Sequence, residues 1–339
     1  MEINNKRLII KKRKLSKKRF KTITKNKKKN PIRYLFKIFI IILLCVNMIY
    51  IINKSNQVYF ACFIGKAKLE NKYIRELVEH YLSIGFEKFY FGDDDILESE
   101  KLYKVLKDYA YKGIVHIDDV SCKNWSQEYY YQYAFEKAKS KCKWFAFYDL
   151  DEYLEFADKN MTIKSYLSLD VFNKCDVVKI HWVMYYDNDL VYYDNRPLKE
   201  RFPKPNHNSE DRLFHKSLVR SKDYNGTIWA TELGPHQPNE SLVNMCDAVG
   251  NLDNSRHGNL GYPNYKYCQI NHYRTKTAEE YGYKILRGLH RGEKYKIKEM
   301  INNFFKYNKV TEEKVAILEK ILNTTFPDYH KNSKIIRLN

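Results

Sequence analysis

The chain has 339 residues, of which 44% are hydrophobic and 30% charged, and it carries a formal charge of +19. That length allows one large domain or two small ones. The charge suggests a nucleic-acid binder until it is located: residues 1–33 hold 15 Lys and Arg against one acid, Glu2, so the tail carries +14 and the rest of the chain only +5. An RNA- or DNA-binding arm would interleave aromatics for stacking, and only Phe20 and Tyr34 flank this one, so nucleic acid is not the expected partner.

Residues 38–52 follow without a charge. Extended back to Tyr34, the run tolerates Lys37, close enough to the end to snorkel. Its span at helical rise is roughly 28 Å, enough for a bilayer core. A cleaved signal peptide is the other reading, but Asn53-Lys54-Ser55-Asn56-Gln57 offers no small-x-small cleavage site. The expectation is a single transmembrane helix over 34–52, a cytoplasmic tail over 1–33, a stem over 53–57 and everything beyond on the far side, a type II arrangement. Beyond Cys45 in the anchor lie Cys62, Cys122, Cys142, Cys175, Cys246 and Cys268, with no zinc spacing. They suit up to three disulfides, or buried thiols. Sequons at Asn53, Asn124, Asn160, Asn225, Asn239 and Asn323 point the same way, to a secretory lumen, Golgi or endoplasmic reticulum if the source is eukaryotic.

From residue 57 the pattern becomes an alternation. Residues 57–64 are β-rich and Gly65-Lys66 breaks the run. Leu69, Tyr73, Leu77 and Tyr81, with Ile74, Val78 and Leu82 beside them, predict a helix that Gly85 ends. Residues 87–91 form a strand stopped by Gly92-Asp93-Asp94-Asp95, 96–110 a helix, 114–117 a strand meeting Asp118-Asp119, and 126–141 a Tyr-rich helix. Residues 143–148 read as a strand buried on both faces, ending in Asp149-Leu150-Asp151-Glu152. Strands alternating with helices predict an α/β fold, a Rossmann-like, mostly parallel sheet flanked by helices with right-handed crossovers. The acidic strand ends should gather at its carboxyl edge, where such sheets bind ligands.

No G-x-G-x-x-G follows the first strand and no G-x-x-x-x-G-K-[ST] occurs, which disfavours dinucleotide and P-loop chemistry. A nucleoside diphosphate held by metal and carboxylates remains. Asp149 and Asp151, one residue apart, can share a divalent cation that completes its shell with phosphate oxygens. On its own, D-x-D is equally a turn that caps a strand.

The second half is less regular. Residues 177–186 form a long strand, and 187–261 are loop-heavy with short strands at 213–215 and 217–219. Thr277-Ala278-Glu279-Glu280 is a capping box opening a helix through Leu289, and Thr311 with Glu312 and Glu313 opens another carrying Val315, Leu318, Ile321 and Leu322.

Five blocks in order carry a resemblance. The stretch from Asn71 to Gly85 resembles the E-x-x-x-I-x-E-W-I-E-Y-H-L-x-x-G helix of glycosyltransferase family 92 and the related family-2-like group. Phe89-Tyr90-Phe91-Gly92-Asp93 resembles their Y-x-Y-D strand, Trp144 to Leu154 their W-x-x-x-x-D-x-D-E-F-L, Lys216-Ser217-Leu218-Val219-Arg220 their K-S-I-V-R, and Asn271 to Thr277 their N-H-Y-x-T-K-S. The sequence departs from these at Leu77, where the family has Trp, at Gly92, where it has Tyr, at Tyr153 for Phe and at Thr277 for Ser.

The resemblance implies a GT-A fold over residues 58–290, with 291–339 a C-terminal helical extension, and a UDP- or GDP-sugar donor. It implies Mn²⁺ or Mg²⁺ on Asp149, Asp151 and His272. Lys276 or Arg274 would add charge near the phosphates, or be a solvated basic pair. Asp93 and Asp118 would accept from ribose or uracil, or serve as strand-end turns. An inverting transfer needs a general base, for which Glu232 and Asp211 are the candidates. His236 is a possible second ligand or an ordinary loop His. Trp182, Trp229 and the tyrosines stack on sugars or pack a core. The function expected is metal-dependent transfer of a sugar from a nucleotide sugar to a glycan or other hydroxyl acceptor. Two rivals stay open: a metal-dependent phosphohydrolase, and a non-catalytic membrane-tethered carbohydrate-binding protein.

Overall fold

The computed structural model describes residues 35–36, 38–46, 48, 58–221, 238, 244–253, 263–287 and 297–325. The chain divides into two compact units, Met1–Gln57 and Val58–Asn339. In the first, the described residues are helical, and no helix among the described residues is long and apolar enough to cross a membrane. The tail over 1–33, the stem over 53–57 and positions 34, 37, 47 and 49–52 of the expected span lie outside the described residues.

Among the described residues, the second unit is built on a ten-stranded sheet. Strand β1 (Tyr59–Ala67) lies at the centre of its amino-terminal half, parallel to β2 (Lys88–Asp93) and to β4 (Cys142–Phe147), and β2 is parallel to β3 (Val115–Asp119). The helices between them form as their apolar spacing demands. In α1 (Ile74–Ser83) Ile74, Leu77, Val78 and Tyr81 are buried on one face, and Gly85, at φ +94°, closes the exit. Helix α2 (Leu102–Tyr111) buries Leu102 and Leu106. Helix α3 (Gln127–Ala138) starts where the Ser126 side chain accepts from Tyr129 N–H and buries Tyr130, Tyr131, Ala134, Phe135 and Ala138. Because the four strands run the same way, their carboxyl ends share one edge, as the alternation predicts.

Beyond β4 the sheet turns mixed. A short strand, β5 (Glu152–Phe156), begins at the last residue of the acidic turn, which the sequence pattern reads only as a turn. Helix α4 (Ile163–Leu167) and strand β6 (Val177–Tyr185) follow, and every residue of β6 is buried. Then come α5 (Leu198–Arg201) and β7 (Pro205–Asn206). The two short strands expected at 213–215 and 217–219 are one strand, β8 (His215–Arg220), entered from a 3-10 turn over Glu210–Leu213. Strand β9 (Met245–Cys246) pairs with β6, and β10 (Cys268–His272) lies between β6 and β5. The order is β3-β2-β1-β4-β8-β6-β10-β5.

Three helices complete the unit: α6 (Ala278–Arg287), α7 (Ile297–Tyr307), which the pattern reading does not single out, and α8 (Glu312–Thr325). Tyr281 and Ile285 of α6 share a core with Met300 and Phe304 of α7 and Leu318 and Leu322 of α8. Two disulfides staple the sheet. Cys62–Cys142 joins β1 to β4, and Cys175–Cys246 joins the approach to β6 to β9. Cys122 and Cys268 are free thiols.

Candidate active site

The site begins where β4 runs out. Its apolar side chains fill both faces of the sheet, so the chain can turn only at the first residues that prefer water, Asp149 to Asp151. Leu150, between the two aspartates, packs against the bare Cα of Gly65 at the end of β1, and a Cβ there would fall 2.9 Å from Leu150 Cδ2. The turn is closed from within: Asp149 N–H donates to Glu152 Oε2 at 2.9 Å, and Glu152 N–H donates to the Asp149 carbonyl at 3.2 Å.

Each aspartate then meets a different part of the chain. Asp149 accepts from the Lys216 ammonium at 2.9 Å and from the Gln127 amide. Lys216 has no solvent exposure and stands 3.6 Å from Glu152, also fully buried. Burial pulls the ammonium down, and Asp149 and Glu152 outweigh it, so Lys216 titrates above its ordinary value. Burial raises Asp149, but Lys216 prevails and holds it below the usual carboxylate value. Glu152 goes the other way, since burial exceeds what Lys216 returns and lifts it well above its ordinary value.

Asp151 is placed by register. Strand β10 runs antiparallel to β5 with His272 opposite Glu152, and Tyr273 N–H donates to the Asp151 carbonyl at 2.9 Å. His272 Nε2 thereby comes 3.5 Å from Asp151 Oδ1. Lys284 of α6 donates to Asp151 Oδ2 at 3.0 Å and to the Arg274 carbonyl at 3.0 Å. Burial would raise the Asp151 carboxyl, but Lys284 and His272 hold it well below its ordinary value. Burial lowers His272 in spite of Asp151, which favours the neutral imidazole a metal requires.

Asp149, Asp151, His272 and Lys284 line a cleft of about 560 Å³ that also takes in Lys66, Asp94, Gln127, Trp182, Asp211 and Arg274. Of the expected metal set, Asp151 and His272 face each other across a short gap, and His272 Nδ1 is a buried atom with no hydrogen-bond partner among the described residues. One carboxylate and one imidazole on a cleft wall fit Mg²⁺ or Mn²⁺, which completes its shell with substrate oxygens; no group of three or more metal-binding side chains converges among the described residues. Asp149 belongs to the same turn, but both its oxygens are already bonded.

The other expected residues fall out unevenly. Asp211 and Arg274 both line the cleft and pair with each other at 2.6 Å. Lys276, at φ +54°, lies over the Tyr73 ring at 3.7 Å and 3.9 Å from Glu70, lining a smaller adjoining pocket of about 280 Å³ rather than the main cleft. Asp93 is buried and gives both oxygens to backbone N–H groups of Asp95 and Leu102 at 3.1 and 2.8 Å, so it caps α2 and does not line the cleft; its neighbour Asp94 does, paired with Lys66 at 2.9 Å. Asp118 bonds Lys137 at 2.9 Å and His116 at 3.2 Å and is likewise absent from the cleft lining. Asp93 is a strand-end residue that caps a helix, and Asp118 is a strand residue paired with side chains. Glu232, His236 and Trp229 lie outside the described residues.

Lys216, Lys284 and Gln127 take no site role in the sequence reading. A signal existed for Lys216, because a lysine inside an apolar strand demands a buried acid. Nothing marks Lys284 or Gln127, which look like ordinary polar positions on helices.

A family model described as Glycosyltransferase family 92 matches residues 62–331. No curated protein matches the chain. Among solved structures, S. aureus TarS 1–349 in complex with UDP-GlcNAc is similar over 80% of this chain and 74% of that chain, at 15% identity and a TM-score of 0.40. The same protein in complex with UDP is similar over 80% and 73%, at 16% identity and a TM-score of 0.39.

Proposed function

The chain belongs to glycosyltransferase family 92 and is a glycosyltransferase, and on that premise we propose that it transfers a sugar from a UDP- or GDP-sugar to a hydroxyl of a glycan or similar acceptor, using Mn²⁺ or Mg²⁺ in a GT-A type site. The observation that carries this is the meeting of Asp151 with His272 in a cleft that also presents Lys66, Arg274 and Lys284. A nucleoside diphosphate brings negative charge that needs such surroundings.

Asp151 and His272 would hold the cation. When bound, it supplies Lewis acidity to the departing diphosphate. Lys216 keeps Asp149 ionised and holds the turn, so Asp151 is presented at a constant position. Trp182 and Phe214 offer apolar faces in the same cleft against which a sugar ring can stack. For an inverting transfer Asp211 is the described candidate for the base that takes the acceptor proton, with Arg274 holding its carboxylate in place.

The basic tail and apolar run support a type II membrane anchor, and the two disulfides support an oxidising lumen as the compartment of the catalytic unit. The deciding experiment incubates the purified chain with a panel of UDP- and GDP-sugars, with and without Mn²⁺. Metal-dependent release of nucleoside diphosphate with sugar transferred to an acceptor, lost in Asp151→Asn, supports the proposal. Release of inorganic phosphate, or binding without turnover, overturns it.

A further inference from the structure

Two cations lining the cleft are matched to an acid outside the acidic turn: Lys66 is paired with Asp94, and Arg274 with Asp211. Lys216, which does not line the cleft, is paired within the turn, has no exposure and is locked between Asp149 and Glu152. Lys284 differs in both respects. Its partner is Asp151 itself, at 3.0 Å, and its side chain is 27% exposed against 9% for Asp151. It lines the main cleft and the adjoining pocket, so its ammonium stands where the two meet. The helix that carries it is pinned one turn earlier: Glu280 accepts from Tyr73 OH at 2.5 Å, from Arg201 at 2.8 Å and from Thr277 N–H at 3.0 Å. The base of the side chain is therefore held while its head is free to choose among acceptors within reach.

We propose that Lys284 couples cation binding to nucleotide binding, serving as counter-ion of Asp151 when the cleft holds no diphosphate and transferring its hydrogen bond to a diphosphate oxygen when the donor enters. The proposal rests on the reading that this cleft takes a nucleoside diphosphate and a divalent cation at Asp151. The physical reason is charge. An ammonium bonded to Asp151 Oδ2 competes with a dication for the same carboxylate, and the two repel across a few ångströms. A diphosphate between them turns that repulsion into two attractions. An ammonium has three donors, and Lys284 spends two, on Asp151 and on the Arg274 carbonyl. Lys284 thus opposes the cation in the free enzyme and favours the nucleotide in the complex. By linkage each ligand then tightens the other.

The test is calorimetry on the purified chain with Mn²⁺ alone and with UDP, or GDP as second probe, with and without Mn²⁺. Lys284→Met is expected to bind Mn²⁺ alone several-fold more tightly than wild type, and UDP in saturating Mn²⁺ roughly tenfold more weakly. The mutual tightening of Mn²⁺ and UDP should shrink accordingly. Lys284→Arg, which keeps the charge, should retain most of the UDP affinity. Lys284→Gln keeps length and a hydrogen-bond donor and should show the same opposite-signed pair of changes as Lys284→Met, which separates loss of charge from loss of fold. If both affinities fall together in the Gln variant, or neither moves, the coupling role is wrong. If the wild-type chain binds neither UDP nor GDP, the functional reading beneath it fails first.

Discussion

Lys216 reaches Asp149 at 2.9 Å from the interior of a strand, where its side chain has no solvent exposure. It is the only contact through which β8 neutralises the acidic turn among the described residues, and it ties the positions of two carboxylates, Asp149 and Glu152, to the register of β8 between β4 and β6.

Removing that cation leaves Asp149 and the buried Glu152 without it. Lys216→Met should therefore cost about 3 kcal/mol of stability, the usual scale for breaking a buried pair from one side, and should also abolish transfer. Urea denaturation measures the first. A loss below about 1 kcal/mol would show that the pair is already well solvated.

Acid stability should depend on Asp118. Burial raises this carboxyl, but hydrogen bonds and charge from His116 and Lys137 outweigh it and hold it at about 2, below its ordinary 3.8. A depressed pKa contributes stability that is present above the unfolded value and lost as pH falls through the folded one. Between about pH 4 and pH 2 the native protein should lose on the order of 1 kcal/mol through this group, solvent screening of a partly exposed carboxylate reducing what the full shift would give. Asp118→Asn should be less stable at pH 7 and show a flatter profile over that interval in thermal melts. Transfer activity at pH 7 should change little, since Asp118 is outside the cleft lining.

His272 is expected to act on the cation rather than on the sugar. In His272→Ala the cation loses one protein ligand and keeps Asp151, so activity should fall at low Mn²⁺ and recover as Mn²⁺ is raised, with its half-saturation point shifted roughly tenfold or more. Asp151→Asn should not recover. A Mn²⁺ titration of initial rate distinguishes them, and an unshifted half-saturation point in His272→Ala would remove this residue from the metal site.

The Cys62–Cys142 disulfide closes a loop of 80 residues between neighbouring strands. Its removal in Cys62→Ala/Cys142→Ala should cost roughly 3 kcal/mol, mainly by freeing the unfolded chain. In a Cys175→Ala/Cys246→Ala background, where Cys62–Cys142 is the one disulfide left among the described residues, denaturation with and without dithiothreitol should reproduce that difference. Indifference to reductant would show that the two thiols are not joined in the protein as purified.

Much of the architecture was legible because burial imposes a period. The strands and helices from β1 to β4 follow in the order the apolar spacing gives, with β1 running on through Gly65 and Lys66 to Ala67 and the first two helices opening later, at Ile74 and Leu102; the acidic strand ends share an edge because the strands are parallel. Strand β5 was hidden: five residues that begin inside the acidic turn carry too little pattern to announce pairing, and only β10 defines them. For Asp93 and Asp118, residue type and strand-end position could not tell a ligand contact from a capping contact. That depends on whether the two oxygens find backbone N–H groups, as those of Asp93 do, or side chains, as those of Asp118 do with Lys137 of a neighbouring helix and His116 of its own strand.

The sequence alone determined the alternation of strands and helices from β1 to β4, the carboxyl-edge location of the Asp149-Leu150-Asp151 turn and, through the order of five short blocks, the family. These are local properties, set by side-chain period and by residues adjacent in the chain. Only the tertiary structure decided which charges meet. Register across β5 and β10 brings His272 to Asp151, docking of α6 adds Lys284, and β8 drives Lys216 between Asp149 and Glu152. Electrostatic interaction falls with distance in space and rises with exclusion of water, and neither quantity is written along the chain.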